Sequence, residues 1–242
     1  GAPWAAFLTW TSAELVNTAH RATVDALFSF WVVAALTCFA LGLGKGGAWA
    51  VGVAAAAGLA FLTKFHLGPV LVGVTILAFC VARKTWAPLR EILRPLPILV
   101  FLAVVVPWPW LLHHYQGRMD QDQEEIQALA GQAVQEGSMA KDALGEVLWG
   151  QLLKRSTGGH YGHANPFWYY LPNLFTFAAP WSLALLFALP WGWKKMRKEG
   201  DPLCTLALCW LLGMLLLLSI PKAKRVVYLT PAVPAVALLV AA

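Results

Sequence analysis

Five groups of ionisable and polar side chains stand at the ends of apolar runs. They are His20, Arg21 and Asp25; Lys64 and His66; His113 and His114; Arg155, His160, His163 and Asn165; and Lys222, Lys224, Arg225 and Tyr228. Cations at the mouth of an apolar helix bundle suit an anionic ligand, and a lipid-linked phosphate fits, its apolar tail lying between the helices. Lys and Arg would act most strongly where charge builds on a leaving phosphate. An ionisable group at membrane depth needs a partner or a water-filled cavity to offset its desolvation, which makes it a functional candidate by default.

Each group also has a plainer reading. Lys64 can snorkel to lipid headgroups, and Lys222, Lys224 and Arg225 can act as headgroup anchors. Asp25 is spaced for an i, i+4 ion pair with Arg21 on one helix face. His160 and His163, at i and i+3, supply two metal ligands, too few without others. The run Phe167-Trp168-Tyr169-Tyr170 reads as an interfacial belt or as a substrate platform.

The elements that must position these residues are transmembrane helices. Of 242 residues, 59% are hydrophobic and only 12% are charged, about half the charge of a soluble domain. Charge-free runs cover 26–44, 46–63, 65–82, 95–117, 202–221 and 226–242, with a longer run at 156–193 whose apolar part starts near Phe167. A bilayer-crossing helix needs about 20 apolar residues, so each run is expected to form a span. Ala2 to Val16 reads as the tail of one more. The expected organisation is all-α: membrane helices over 1–116, an extracytoplasmic segment over 117–166, and membrane helices over 167–242. Within the middle segment, Ile126, Leu129, Ala130 and Val134, then Leu144, Val147, Leu148 and Leu152, recur at helical spacing. Two surface-lying amphipathic helices would satisfy that pattern. With no Met or signal at the start and an apolar run at the end, the chain reads as an internal piece of a longer polytopic protein.

Alternating the spans sorts the charges. One set of connections holds Lys45, Arg83, Lys84, Arg90, Arg94, Lys194, Lys195, Arg197 and Lys198 against Glu91, Glu199 and Asp201, a surplus of six positive charges. The other set balances to zero, because seven acids lie between Asp120 and Glu146. The short basic connections are therefore expected in the cytoplasm, and the phosphate-suited groups on the outer face. Trp108, Trp110, Trp168, Trp191 and Trp193 fall at span ends, as an aromatic belt requires. The net charge of +6 thus reads as membrane orientation and not as a nucleic-acid surface. Cys38, Cys80, Cys204 and Cys209 sit inside apolar runs, without the spacing of a zinc site or disulfide framework.

These segments, in this order, resemble bacterial membrane glycosyltransferases related to lipid A aminoarabinose transferase and to protein O-mannosyltransferases, which have the GT-C fold. The resemblance is carried by Arg21-Ala22-Thr23-Val24-Asp25, Leu62-Thr63-Lys64, Pro107-Trp108, Gly158-Gly159-His160 and His163-Ala164-Asn165-Pro166-Phe167-Trp168-Tyr169-Tyr170. Beyond Pro180-Trp181 it continues through Ser219-Ile220-Pro221-Lys222-Ala223-Lys224 to Tyr228-Leu229-Thr230-Pro231. It implies transfer of a sugar from a polyprenyl-phosphate donor, with inversion at the anomeric carbon, on the outer face of the bacterial inner membrane. The acceptor would be lipid A, a protein or another glycan.

By the same resemblance Lys64, Arg155 and Lys224 contact donor phosphate or sugar, with Lys222 and Arg225 as weaker contributors, and Tyr228 lines the cavity. Asp25 matches an acid at the site mouth. His163 matches a histidine that can take part in binding a divalent metal; no other cofactor is implied. The family's main catalytic Asp would lie upstream of Gly1, so the segment alone is expected to be inactive. Gly150-Gln151-Leu152 stands where close relatives of the aminoarabinose enzyme tend to carry Glu-His, which argues against that sugar. The competing classes are a flippase for lipid-linked substrates and a noncatalytic scaffold of the cell envelope. Span interiors nearly free of charge count against the flippase. The topology is tested by thiol labelling: Ser138→Cys should react with an impermeant reagent only from outside and Gly200→Cys only from the cytoplasm, and the reverse result inverts the orientation.

Overall fold

The computed structural model describes residues 2–12, 24–45, 47–111, 165–221 and 224–241. Helices α1 (Ala2–Trp10), α2 (Val24–Gly42), α3 (Ala48–Lys64), α4 (Leu67–Ala82), α5 (Ala87–Ile92) and α6 (Pro95–Val105) make up the first half. The second holds a 3-10 turn at Phe167–Tyr169, then α7 (Tyr170–Phe177), α8 (Ser182–Lys198) and α9 (Pro202–Ser219). A second 3-10 segment, Val226–Ala232, leads into α10 (Val233–Ala241). No strand occurs among the described residues. The expected helices 117–157 lie outside them.

Small residues let the helices approach. Helix α3 is rich in Ala and Gly and packs against α2, α4 and α6. A Cβ on Gly52 would stand 2.9 Å from Cys38 Sγ of α2, and one on Gly58 3.1 Å from Val104 of α6. Such small-residue seams are how apolar helices associate where lipid is as apolar as the partner. Phe39 fills the layer below, edge-on to Trp49 at 5.5 Å and to Phe79 at 5.2 Å. Helix α9 is central: Leu206, Trp210, Leu211 and Met214 are all fully buried. Asp201 starts it as an N-cap, accepting from the N–H groups of Leu203 (2.8 Å) and Cys204 (3.1 Å), with Pro202 following; both are strong start signals.

Helices α2 and α9 are long and apolar enough to cross a membrane alone, and the outward faces carry exposed Phe, Leu and Trp throughout. The apolar run from Phe167 to Trp193, expected as one span, is two helices, Phe167–Phe177 and Ser182–Lys198, set at 113°. The break falls at Ala178–Trp181, where Pro180 has no N–H to continue a helix. Similarly Pro107 goes with a one-residue break at Val106, after which helix resumes over 107–111, and Pro231 lies in the 3-10 winding of Val226–Ala232. Short α5, within a basic connection, is another element that hydropathy alone does not show.

The described connections converge at two ends. Glu91 and Arg94 lie against Gly47, Arg83 donates to the Gly200 carbonyl, and Lys195 pairs with Asp201 at 3.5 Å. The basic connections are thus gathered at one end, where Trp191 and Trp193 lie under Lys195 and Arg197. At the opposite end α3 turns into α4 through Phe65 and His66. Gly68 sits so close to α3 that a Cβ would be 2.5 Å from Ala60 Cβ and 3.0 Å from its carbonyl carbon. Gly68→Ala should therefore destabilise the protein by roughly 1–3 kcal/mol in detergent-micelle unfolding. Gly73→Ala, whose Cβ meets nothing within 4 Å, should not; equal losses would show that the close approach of α3 and α4 is not what Gly68 provides.

Candidate functional site

Lys64 is the last residue of α3, and its ammonium is aimed across the bundle at the first turn of α2, where it pairs with the Asp25 carboxylate. Their side chains are only 15% and 21% exposed. Two aromatic rings flank the ammonium: Tyr228 with its centroid at 4.3 Å and Phe28 at 5.3 Å. Asp25 and Phe28 are one turn apart on α2, so a single helix face supplies both the counter-charge and a ring. Cation–π attraction is stronger where water is excluded, and the site combines it with an ion pair. Ser29 Oγ donates to the Asp25 carbonyl at 2.7 Å, and Thr63 Oγ1 to that of Ala60 at 2.7 Å, occupying backbone acceptors beside each charged residue.

A second cation lies nearby. Lys224, 3% exposed, lies between α9 and the second 3-10 segment and donates to the carbonyls of Pro221 (2.6 Å) and Asn165 (3.1 Å). Asn165 Nδ2 donates back to the Lys224 carbonyl at 3.3 Å. Burial pushes the Lys224 ammonium below its ordinary pKa. The next residue, Arg225, is exposed, and its N–H donates to the buried Tyr170 hydroxyl at 3.3 Å. The Tyr228 N–H donates to the Arg225 carbonyl at 3.1 Å, so one turn of 3-10 helix links the two cationic groups. Tyr169 lies edge-on to Tyr170 at 5.3 Å.

Of the residues expected from the sequence, Asp25, Lys64, Lys224, Arg225 and Tyr228 come together at this end. Arg155, Lys222 and His163 lie outside the described residues, as do His20, Arg21, His113, His114 and His160. No group of three His, Cys, Asp or Glu suited to a metal ion occurs among the described residues, so the described part of the site supplies no metal centre. Phe28 went unread, although its i+3 spacing from Asp25 is the available signal. Tyr170 was read only as part of an aromatic run; its hydroxyl role depends on a segment 55 residues away.

Residues 1–111 match the family model of dolichyl-phosphate-mannose-protein mannosyltransferases. The chain is 30% identical over 227 residues to an undecaprenyl phosphate-alpha-4-amino-4-deoxy-L-arabinose arabinosyl transferase of Pseudomonas fluorescens, covering 91% of the chain and 36% of that protein. A second enzyme of that name, from Pectobacterium carotovorum, is 29% identical over 98% of the chain and 39% of its own length. The crystal structure of ArnT from Cupriavidus metallidurans bound to undecaprenyl phosphate superposes with a TM-score of 0.75 at 21% identity, over 98% of the chain and 40% of that protein. Nearly the whole chain is thus similar to part of an aminoarabinose transferase, and it has the GT-C membrane fold of that structure. It spans between a third and two fifths of the length of these relatives.

In this GT-C segment the Lys64–Asp25 pair joins the end of α3 to the start of α2. In a double-mutant cycle of Lys64→Met and Asp25→Asn, each single change should destabilise, because each leaves a partly buried polar group without its counterpart. The double variant should recover roughly 0.5–3 kcal/mol relative to the sum. Additive losses in detergent-micelle unfolding would mean that the two side chains do not act as a pair.

Proposed function

We propose that this segment holds the donor in an enzyme that transfers a sugar from a polyprenyl-phosphate carrier to an acceptor on the outer face of the bacterial inner membrane. The acceptor is lipid A, a protein or another glycan. The observation that carries this reading is the placement of Lys64, Lys224 and Arg225 at one end of an apolar bundle, with Asp25 as the counter-charge and the Tyr228 and Phe28 rings beside Lys64. That arrangement supports a phosphate headgroup at the bundle end and a hydrocarbon tail against the helices. The related enzymes' names, which specify an undecaprenyl-phosphate sugar, support the same donor class.

In the reaction the acceptor hydroxyl oxygen forms a bond to the anomeric carbon, from the face opposite the phosphate. The bond from that carbon to the phosphate oxygen breaks, and its electron pair stays on the phosphate. The hydroxyl proton passes to a carboxylate base; the resemblance expects the principal one outside these 242 residues, with Asp25 in a supporting place. Lys64, Lys224 and Arg225 bear the charge that grows on the leaving phosphate, with Arg155 and Lys222 assigned to the same headgroup. Preorganised cations are most effective there because they need no rearrangement as charge develops. Tyr228 keeps the Lys64 ammonium in place and lines the sugar cavity. When phosphate binds, it shares Lys64 with Asp25. His163 is assigned as a ligand of a divalent metal, and no step depends on it.

The test uses the full-length protein that contains this segment, with a polyprenyl-phosphate sugar and mass-spectrometric detection of the modified acceptor. Lys64→Ala and Lys224→Ala should each lower kcat/KM for the donor by about ten-fold or more, since contacts to a charged group are worth about 1.5–3 kcal/mol. If neither variant changes turnover, the donor site lies elsewhere.

A further inference from the structure

Toward the basic end the bundle has an open cavity of about 210 Å³ whose lining is entirely apolar. Val53 of α3, Ile76 of α4, Leu89 and Ile92 of α5, and Phe101 of α6 form its walls. Gly73 of α4 contributes open space: a Cβ there would meet no atom within 4 Å. In a membrane protein such an opening faces hydrocarbon. The short helix α5 distinguishes this cavity from an ordinary lipid-facing furrow. It turns Leu89 and Ile92 into the cavity while Arg90, on the same helix, is exposed. Arg94, just beyond it, is paired with Glu91 at 2.8 Å, and its side chain remains 62% exposed. Trp86, at the start of α5, is also exposed, as suits a helix lying in the headgroup layer. This end carries the surplus of six positive charges.

We infer that this is a binding site for an anionic phospholipid of the leaflet at the basic end. One acyl chain lies in the cavity, and the phosphate group sits against Arg90 and Arg94. Two features select this occupant. The apolar walls accept a hydrocarbon chain without a buried polar cost, and the cations beside α5 complement an anionic headgroup but give a zwitterionic one little net attraction. The polyprenyl donor is the competing hydrocarbon, but its phosphate is assigned to Lys64 at the other end of the bundle. The lipid pins α5 across α3, α4 and α6, and so steadies the helix that carries Lys64 from its opposite end.

The test is native mass spectrometry of the intact chain released from vesicles holding equal parts of phosphatidylglycerol and phosphatidylethanolamine, with undecaprenyl phosphate added at a matching fraction in a second series. One retained phospholipid per chain is expected, enriched in phosphatidylglycerol. Arg90→Gln with Arg94→Gln should lower that enrichment by about five-fold for each cation removed. Gly73→Leu, whose side chain enters the cavity, should reduce retention of either phospholipid several-fold. If Gly73→Leu does not fold by circular dichroism, Gly73→Ala and the exposed arginine variants carry the test. The inference is overturned if no phospholipid is retained, if the variants leave retention and enrichment unchanged, or if undecaprenyl phosphate displaces phosphatidylglycerol. None of these readouts involves sugar transfer, so failure here is distinct from failure of the donor-site reading.

Discussion

An ammonium at the end of an apolar helix cannot be left without a partner: in a poorly solvated setting its charge must be met by an opposite charge, by a polarisable face or by water. Lys64 is met by the Asp25 carboxylate and by the rings of Phe28 and Tyr228. Those contacts come from α2, α3 and the 3-10 segment after α9, parts of the chain far apart in sequence. The Tyr228 contact therefore ties the first helices to the last ones at this end. Tight α2–α3 packing places the two charges, and the close passage of Gly68 over Ala60 fixes where α3 must end.

Much of this was legible before any coordinates. Charge-free runs marked the helices because hydrocarbon tolerates so few charges, and α2, α3, α4 and α9 begin or end within a few residues of their runs. The sorting of basic connections to one end followed from alternating the spans, and the contacts of Gly47 with Glu91 and of Arg83 with Gly200 display it. Grouping Asp25, Lys64, Lys224, Arg225 and Tyr228 required only that parity, since consecutive spans return to the same end.

Other features were not legible, for physical reasons. Hydropathy is blind to a bend inside an apolar run, so 167–193 read as one span although Pro180 removes the N–H that a continuous helix needs there. Helix α5 is too short to show a period. Phe28 reads as one more apolar residue until Lys64 is placed over it. The carbonyl partners of Lys224 are invisible in sequence, because every residue carries a carbonyl and only the fold determines which ones an ammonium meets.

Lys224 also ties two strands of the chain together. Its ammonium grips the carbonyls of Pro221, at the close of α9, and Asn165, where the chain enters the aromatic run. Any anion that recruits this ammonium, as in the proposed donor site, competes with those two carbonyls, so anion occupancy and attachment of Asn165 become coupled equilibria. Thermodynamic reciprocity then requires the converse: whatever draws Asn165 away from Lys224 changes the affinity of the cation for an anion. The lysine is in this sense a fastener, joining the end of α9 to the entry of the aromatic run.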